Sequence, residues 1–467
     1  MLNRFTALML IGTATIFSAC EKDDPPLAEN QVQFEASEQG LATDETSKEI
    51  TVKLSRNTDV DIPLTIGLKE AGVAYGTQYT TAPAANSGVI SLTIPAGSNN
   101  AKFFVTKKTA ILLNGDESIE FTIKTASTAI GQTTKIKLSF SSIVSDGNEL
   151  TLNGGAGGAS AVNSVYVDLS NNSQVSIDRK SYDLMFNAGP EFRVLLNNTA
   201  GWAVVKVNKT DLKTVTEADI TAAQMQVGYG FGNLNMIDDV EGDITQNAMG
   251  EVSATDADNK VFVINTAGPS FTPPALTGFK KIRVLRNASG GYTLQHADLG
   301  SETFTTVEIS KDSKFNYTFF SLTTNSITTV EPPKDRWDFV WGWSWYKALD
   351  KGIWVPYAYS DLVFTNSRNN VQVAEVLTTN VGYADFNETH IAAQTFNNKR
   401  DAIGSNWRIT QTGQGLPPVG VLKDRFYVIK DAAGNVYKLR WNSFHSGPAD
   451  GGTRGYPKLE FKLIKKA

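Results

Sequence analysis

Cysteine is nearly absent. Cys20 is the only one in 467 residues, which excludes a disulfide framework and any zinc site built on thiolates. Histidine is almost as scarce: His296, His390 and His445 are far apart, and no pair has a metal-binding spacing. Methionine is missing altogether from residues 314–467, so that stretch cannot supply thioether ligands to a metal. There is no basic excess. The formal net charge is −5, and nucleic acid, which needs a basic face, is not an expected partner. The apolar segment at residues 5–17 is shorter than the roughly 20 residues a membrane-spanning helix requires. No G-x-S-x-G turn occurs, "GGAGG" lacks the Lys-Ser/Thr ending of a phosphate loop, and the 48 Asp and Glu form no recognisable acid–base pair. Catalysis is not expected.

What is present is β patterning. Val, Ile, Thr, Phe and Tyr alternate with polar residues between Gly, Asn, Asp and Pro clusters, which predicts an all-β chain. Only 209–227 and 387–396 suggest helices. The start is different. Arg4, an apolar run and small residues before Cys20 form an export signal. "FSAC" resembles the lipobox of bacterial lipoproteins, with Phe17 where leucine is usual. That resemblance implies a signal peptide over 1–19, lipidation of Cys20 and a tether over 20–30. Lys22, Asp23 and Asp24 resemble the acidic sorting signal of Bacteroidetes surface lipoproteins. An outer-membrane, lipid-anchored position facing the cell exterior is therefore expected.

Residues 31–144 carry at least six short alternating strands, the pattern of an immunoglobulin-like β-sandwich. The series resembles a Calx-β domain, including "GTQY" and "GDESIEF". Members of that family can bind calcium through acidic loops, which marks Asp44, Glu45, Asp116 and Glu117. Gln78 stands where the family has Asp, and an acidic turn is more often only solvated, so calcium is not expected. Residues 145–163 are Gly-rich and read as a flexible linker.

Two distant stretches then repeat. "VYVDLSNNSQVSIDRKSYDLMF" and "YTFFSLTTNSITTVEPPKDRWDFVW" each give an aromatic strand, an L-S/T-x-N-S turn, a second strand and aromatic-Asp-hydrophobic. The closing strands also pair, as in "FYVIKDAAGNVYKLRW" and "PKLEFKLI". These are two duplicated antiparallel β domains, 164–313 and 314–467, each large enough for its own core. The motifs and their order resemble the HmuY family of haem-binding Bacteroidetes surface lipoproteins. The resemblance implies no catalysis, capture of haem or a similar ligand, and an outer-membrane transporter as partner. HmuY itself ligates haem through two histidines, which marks His390 and His445. A glycan-binding lipoprotein and a structural or adhesive β-protein stay open as alternatives.

Five of the eight tryptophans fall in 334–354. Period-two alternation puts Trp337, Phe339, Trp341, Trp343 and Trp345 on one strand face, a core face first. Trp341, Trp343, Trp345 and Trp441 are also candidates for an aromatic platform under a flat ligand.

Overall fold

A computed structural model describes residues 29–42, 45–108, 117–141, 144–411, 413, 417–445 and 450–467. The lipidation and sorting residues Cys20, Lys22, Asp23 and Asp24, and the calcium candidates Asp44 and Asp116, lie outside the described residues. The chain is all-β, as its alternation requires.

The N-terminal unit is a sandwich of two five-stranded sheets. One orders Tyr79–Ala82, Asn100–Lys107, Ser47–Leu54, Gln31–Phe34 and Ala129–Ile130; the other orders Glu38–Gly40, Lys135–Ser139, Ser118–Ala126, Ile62–Ala71 and Val89–Ile94. Every second residue of Ser47–Leu54 is buried, and Phe103 meets Phe121 from the facing sheet at 5.0 Å between ring centroids. Polar contacts dock this sandwich on the larger body. Gly40 N–H donates to Asn171, and the Glu35 side chain accepts from Gln174.

The larger body is built by exchange. Its two halves contribute equivalent strands, but these pair across the halves. Asn163–Asp168 pairs with Phe339–Asp350, and Leu184–Asn187 pairs with Tyr317–Ser321. The result is two four-stranded sheets, each half from one repeat and half from the other. Two five-stranded sheets close the body. In one, Gly147–Thr151 lies beside Lys458–Lys465; in the other, Thr305–Ile309 lies beside Tyr292–Asp298. Gly147–Thr151, ahead of the first repeat, thus completes the sheet of the second, while Thr305–Ile309 closes the first repeat's own sheet.

Five pairs of hydrogen bonds repeat about this pseudo-twofold. Leu169 N–H donates to Asp338 Oδ2 at 2.7 Å, and Leu322 N–H donates to Asp183 Oδ2 at 2.6 Å. The amides of the same aspartates donate to Val167 and Phe320. Asn366 and Asn197 donate from their backbone amides to the Asp338 and Asp183 carbonyls. Each asparagine also holds two carbonyls with its Nδ2, those of Lys334 and Trp337 or of Arg179 and Tyr182. The aromatic-Asp motif is a clasp: each half fixes the D-L-S or S-L-T turn of the other.

Three expectations change. Residues 145–163 are not a flexible joint, because Gly147–Thr151 is a paired strand and Leu150 and Leu152 enter the core around Trp341. Gly154 is there for close approach: a Cβ would stand 2.3 Å from the Gly455 carbonyl and 2.6 Å from the Trp341 ring. The boundary between 313 and 314 separates sequence repeats, not self-contained cores, since strands cross it in both directions. The expected helices are 3₁₀ turns at Leu212–Thr214, Glu217–Asp219 and Glu388–Ala393. Asp211, Thr216 and Asn387 each cap a backbone amide with the side chain. Such side-chain bonds compete with a continuing helix.

Candidate functional site

The aromatic run of 334–354 does not share one face. Phe339 and Trp341 enter a core with Trp407 and Trp441, while Trp337 packs on Tyr166 at 5.1 Å. The register then shifts between Gly342 and Ser344. Such a bulge re-aims everything beyond it. Trp345 consequently joins Val227, Met236 and Val240 and donates from Nε1 to the Trp202 carbonyl. Trp343 is half-buried beneath the Arg179 guanidinium at 4.6 Å. As platform candidates, Trp341, Trp345 and Trp441 are therefore corrected to core, because Trp341 and Trp441 are buried between the exchanged strands and the closing sheet and Trp345 is buried under Val227, Met236 and Val240.

The exposed aromatic surface lies farther along the same hairpin. Phe339–Asp350 and Ile353–Thr365 pair up to a two-residue turn, Lys351-Gly352, whose φ angles of 48° and 86° are those of a tight hairpin turn. Asn163–Asp168 covers the first strand only as far as Trp341. Beyond that point the hairpin outruns its sheet. Leu349 is 57% exposed, Ile353 69% and Trp354 50%. Residues directly opposite across the pair share a face, so Leu349 and Trp354 lie together with Lys347, whose ammonium sits 5.0 Å from the Trp354 ring.

The other face is a tyrosine ladder. Tyr346 contacts Tyr359 at 5.4 Å, Tyr359 contacts Tyr357 at 5.0 Å, and Tyr357 contacts Tyr229 at 5.5 Å. Tyr229 comes from the turn Gly228–Phe231 and donates its hydroxyl to Asp350, tying the turn to the hairpin tip. That bond raises the Tyr229 hydroxyl above its ordinary value. Phe231, from the same turn, meets the exposed Phe271 at 6.4 Å. These residues carried a sequence signal that tryptophan counting missed: "GYGFG", "PSFTPP" and the alternation of Ile353, Tyr357 and Tyr359.

The histidines do not converge. His390 stacks on Phe386 at 5.4 Å, and its Nδ1 accepts the Asn387 amide, closing a capping box. Phe386 belongs to the cluster on one face of the closing sheet, whereas Phe444, beside His445, belongs to the core on the opposite face. The Phe386 carbonyl is held by Lys438 near the start of Val436–Ser443, and His445 follows that strand's end. Seven residues at ~3.3 Å each separate these points by roughly 23 Å. His390 and His445 therefore cannot serve one iron as an axial pair in this arrangement. His296 is buried, with Nε2 within 2.8 Å of Asn325 Oδ1.

Of the acidic candidates of the sandwich, Glu45 and Glu117 fall within the described residues. Glu45 accepts the Ala42 amide and pairs with Lys48, while Glu117 is buried immediately before the central strand Ser118–Ala126. Among the described residues no three His, Cys, Asp or Glu group together as a metal site.

The HmuY family profile matches residues 160–461 in a single span across both halves. The chain belongs to the HmuY family. Its match coincides with the exchanged body and leaves the sandwich outside. No curated protein matches the chain. Among solved structures, the apo form of a Calx CBD1 domain is 10% identical, with TM-score 0.22, covering 24% of this chain and 97% of that one. A two-domain protein of unknown function from Bacteroides fragilis is 12% identical, with TM-score 0.18, over 62% of this chain and 90% of that one. A putative carbohydrate-binding protein from Bacteroides ovatus is 10% identical, with TM-score 0.17, over 72% and 97%. Likeness at this level fixes neither ligand nor activity. HmuY is a binding family, and no helix among the described residues is long and apolar enough to cross a membrane.

Proposed function

We propose that this HmuY-family chain is a non-catalytic capture protein that holds haem, or a similarly flat and largely apolar ligand, against the protruding hairpin. The observation that carries the reading is the hairpin outrunning its sheet with Leu349, Ile353, Trp354 and Tyr357 exposed, continued by Tyr229, Phe231 and Phe271. Aromatic faces stack on flat rings, and tyrosine oxygen is an accepted haem-iron ligand, which makes Tyr229 and Tyr357 the oxygen donors at hand. A lipid anchor at Cys20 would present this surface outside the cell, to an outer-membrane transporter.

Haemin titration of the full chain, followed by its Soret band, tests this. Trp354→Ser combined with Tyr357→Ser is expected to weaken binding at least tenfold, equivalent to ~1.4 kcal/mol, while His390→Ala combined with His445→Ala leaves it in place. Unchanged affinity in the hairpin variant would remove the hairpin from the reading. Polysaccharide, but not haemin, quenching tryptophan fluorescence would replace haem with a glycan.

A further inference from the structure

A separate cavity of about 100 Å³ lies between the two exchanged four-stranded sheets. It is well below the ~300–1,000 Å³ of drug-sized ligand sites, so a porphyrin does not fit. Tyr166, Tyr182, Phe319 and Trp337 wall it with apolar carbon, and Arg400 reaches into it.

The backbone holds Arg400 firmly. Its N–H donates to the Glu241 carbonyl, and its own carbonyl accepts from the Thr365 amide at 2.7 Å. Gly242, at φ 95°, lets the side chain pass, since a Cβ there would stand 2.6 Å from Arg400 Cβ. The guanidinium lies 3.6 Å from the centroid of Phe364. Its one hydrogen bond, from Nη1 to the Val240 carbonyl, is long at 3.4 Å. Among the described residues Arg400 makes no ion pair within 4.0 Å, and burial pushes its pKa down.

The nearby carboxylates are already occupied. Glu331 accepts the Asn316 and Tyr317 amides, and Asp238 accepts those of Leu196 and Ala248. Burial pushes both up to about 7. At the rim, Asp239 accepts the Asp243 amide and Arg368 donates to Asn187. The Tyr166 and Tyr317 hydroxyls, which line the cavity, have no hydrogen-bond partner among the described residues. Arg400 is half-buried, and its guanidinium faces the cavity with no carboxylate paired to it among the described residues. Here it stands beside unengaged hydroxyl donors in a space large enough for several heavy atoms.

We propose that this cavity binds a small monoanion of the carboxylate class, gripped by the Arg400 guanidinium and the hydroxyls of Tyr166 and Tyr317. The site is independent of the hairpin surface. Its position between the exchanged sheets means that a bound anion bridges strands of both halves.

Acetate is the probe, titrated into the full chain and read as a rise in Tm and by calorimetry, with chloride at equal ionic strength as the control. Saturable binding is expected, weakened at least tenfold by Tyr317→Phe, which keeps the ring, and lost in Arg400→Met. Trp354→Ser leaves it unchanged. The proposal is overturned if acetate adds nothing beyond the chloride control, or if Tyr317→Phe binds acetate as the parent does. Should Arg400→Met fail to fold, Tyr317→Phe alone decides.

Discussion

The two clasp aspartates are symmetry equivalents with unequal work, and substitution should expose the difference. Asp338 accepts one bond of consequence across the halves, from the Leu169 amide. Asp183 accepts two, from the Leu322 amide across the halves at 2.6 Å and from the Trp202 indole of its own half at 2.9 Å. Both aspartates are buried, so a donor left behind by alanine finds no water. Leaving a buried donor unsatisfied costs ~1–3 kcal/mol. Asp338→Ala should therefore cost about 1–3 kcal/mol and Asp183→Ala about 2–6 kcal/mol, against a typical total of ~5–15 kcal/mol. Asparagine separates them further. One amide oxygen suffices for Leu169, whereas the Asn amide nitrogen cannot accept from Trp202. Asp338→Asn should lie within ~1 kcal/mol of the parent and Asp183→Asn should lose about 1–3 kcal/mol. Urea unfolding followed by circular dichroism measures all four. An equal or larger loss for Asp338→Ala, or losses below ~0.5 kcal/mol for both alanines, would refute the clasp.

A fragment of residues 314–467 should not fold alone: it lacks Leu150, Leu152, Val165, Val167 and Leu169 from the core around Trp341, a loss on the order of 10 kcal/mol at ~1.5–3 kcal/mol per side chain. Cooperative unfolding of the isolated fragment would overturn this. Stability should fall as pH rises from 5 to 8. Asp238 and Glu331 are raised by burial to about 7, and Asp338 is likewise raised, by burial and by Asp168 and Asp431 nearby. The folded state therefore binds more protons than the unfolded one, and the stability they contribute below about pH 4 is lost on passing through about 7. For Asp238 a rise of about 3 pH units is worth on the order of 4 kcal/mol at most, and Asp238→Asn should flatten the profile; an unchanged slope in thermal melts at pH 5 and pH 8 would count against it. Cys20→Ala should leave the protein unanchored, since firm attachment needs the acyl chains, and recovery of the variant in salt-washed outer membranes would exclude lipidation there.

Strand content was legible wherever one face is buried, as in Ser47–Leu54, because period two is written directly into residue type. The duplication was legible for a related reason: Tyr182-Asp183 and Trp337-Asp338 perform one task, and that task demands the same residues. What similarity cannot specify is which copy of a strand each copy pairs with. Two equivalent strands satisfy the same hydrogen-bond pattern in either half, so exchange leaves no mark on the repeat itself. The tryptophan run failed for a local reason. Alternation holds only along an unbroken register, and the shift after Gly342 sends Trp345 into a cluster different from that of Trp341. The exposed surface hid for the opposite reason. Tyr229 and Phe231 sit between glycines in a part of the first half with no equivalent in the second, where the repeat offers no guide, and the Asp350 bond, the Tyr357 contact and the packing of Val227 and Met236 on Trp345 bring them to the hairpin. Residues matched between the halves hold the body together, and the aromatic surface is assembled from residues that are unmatched. In a duplicated fold, asymmetry between the copies is thus the better pointer to a binding surface than the density of any residue type.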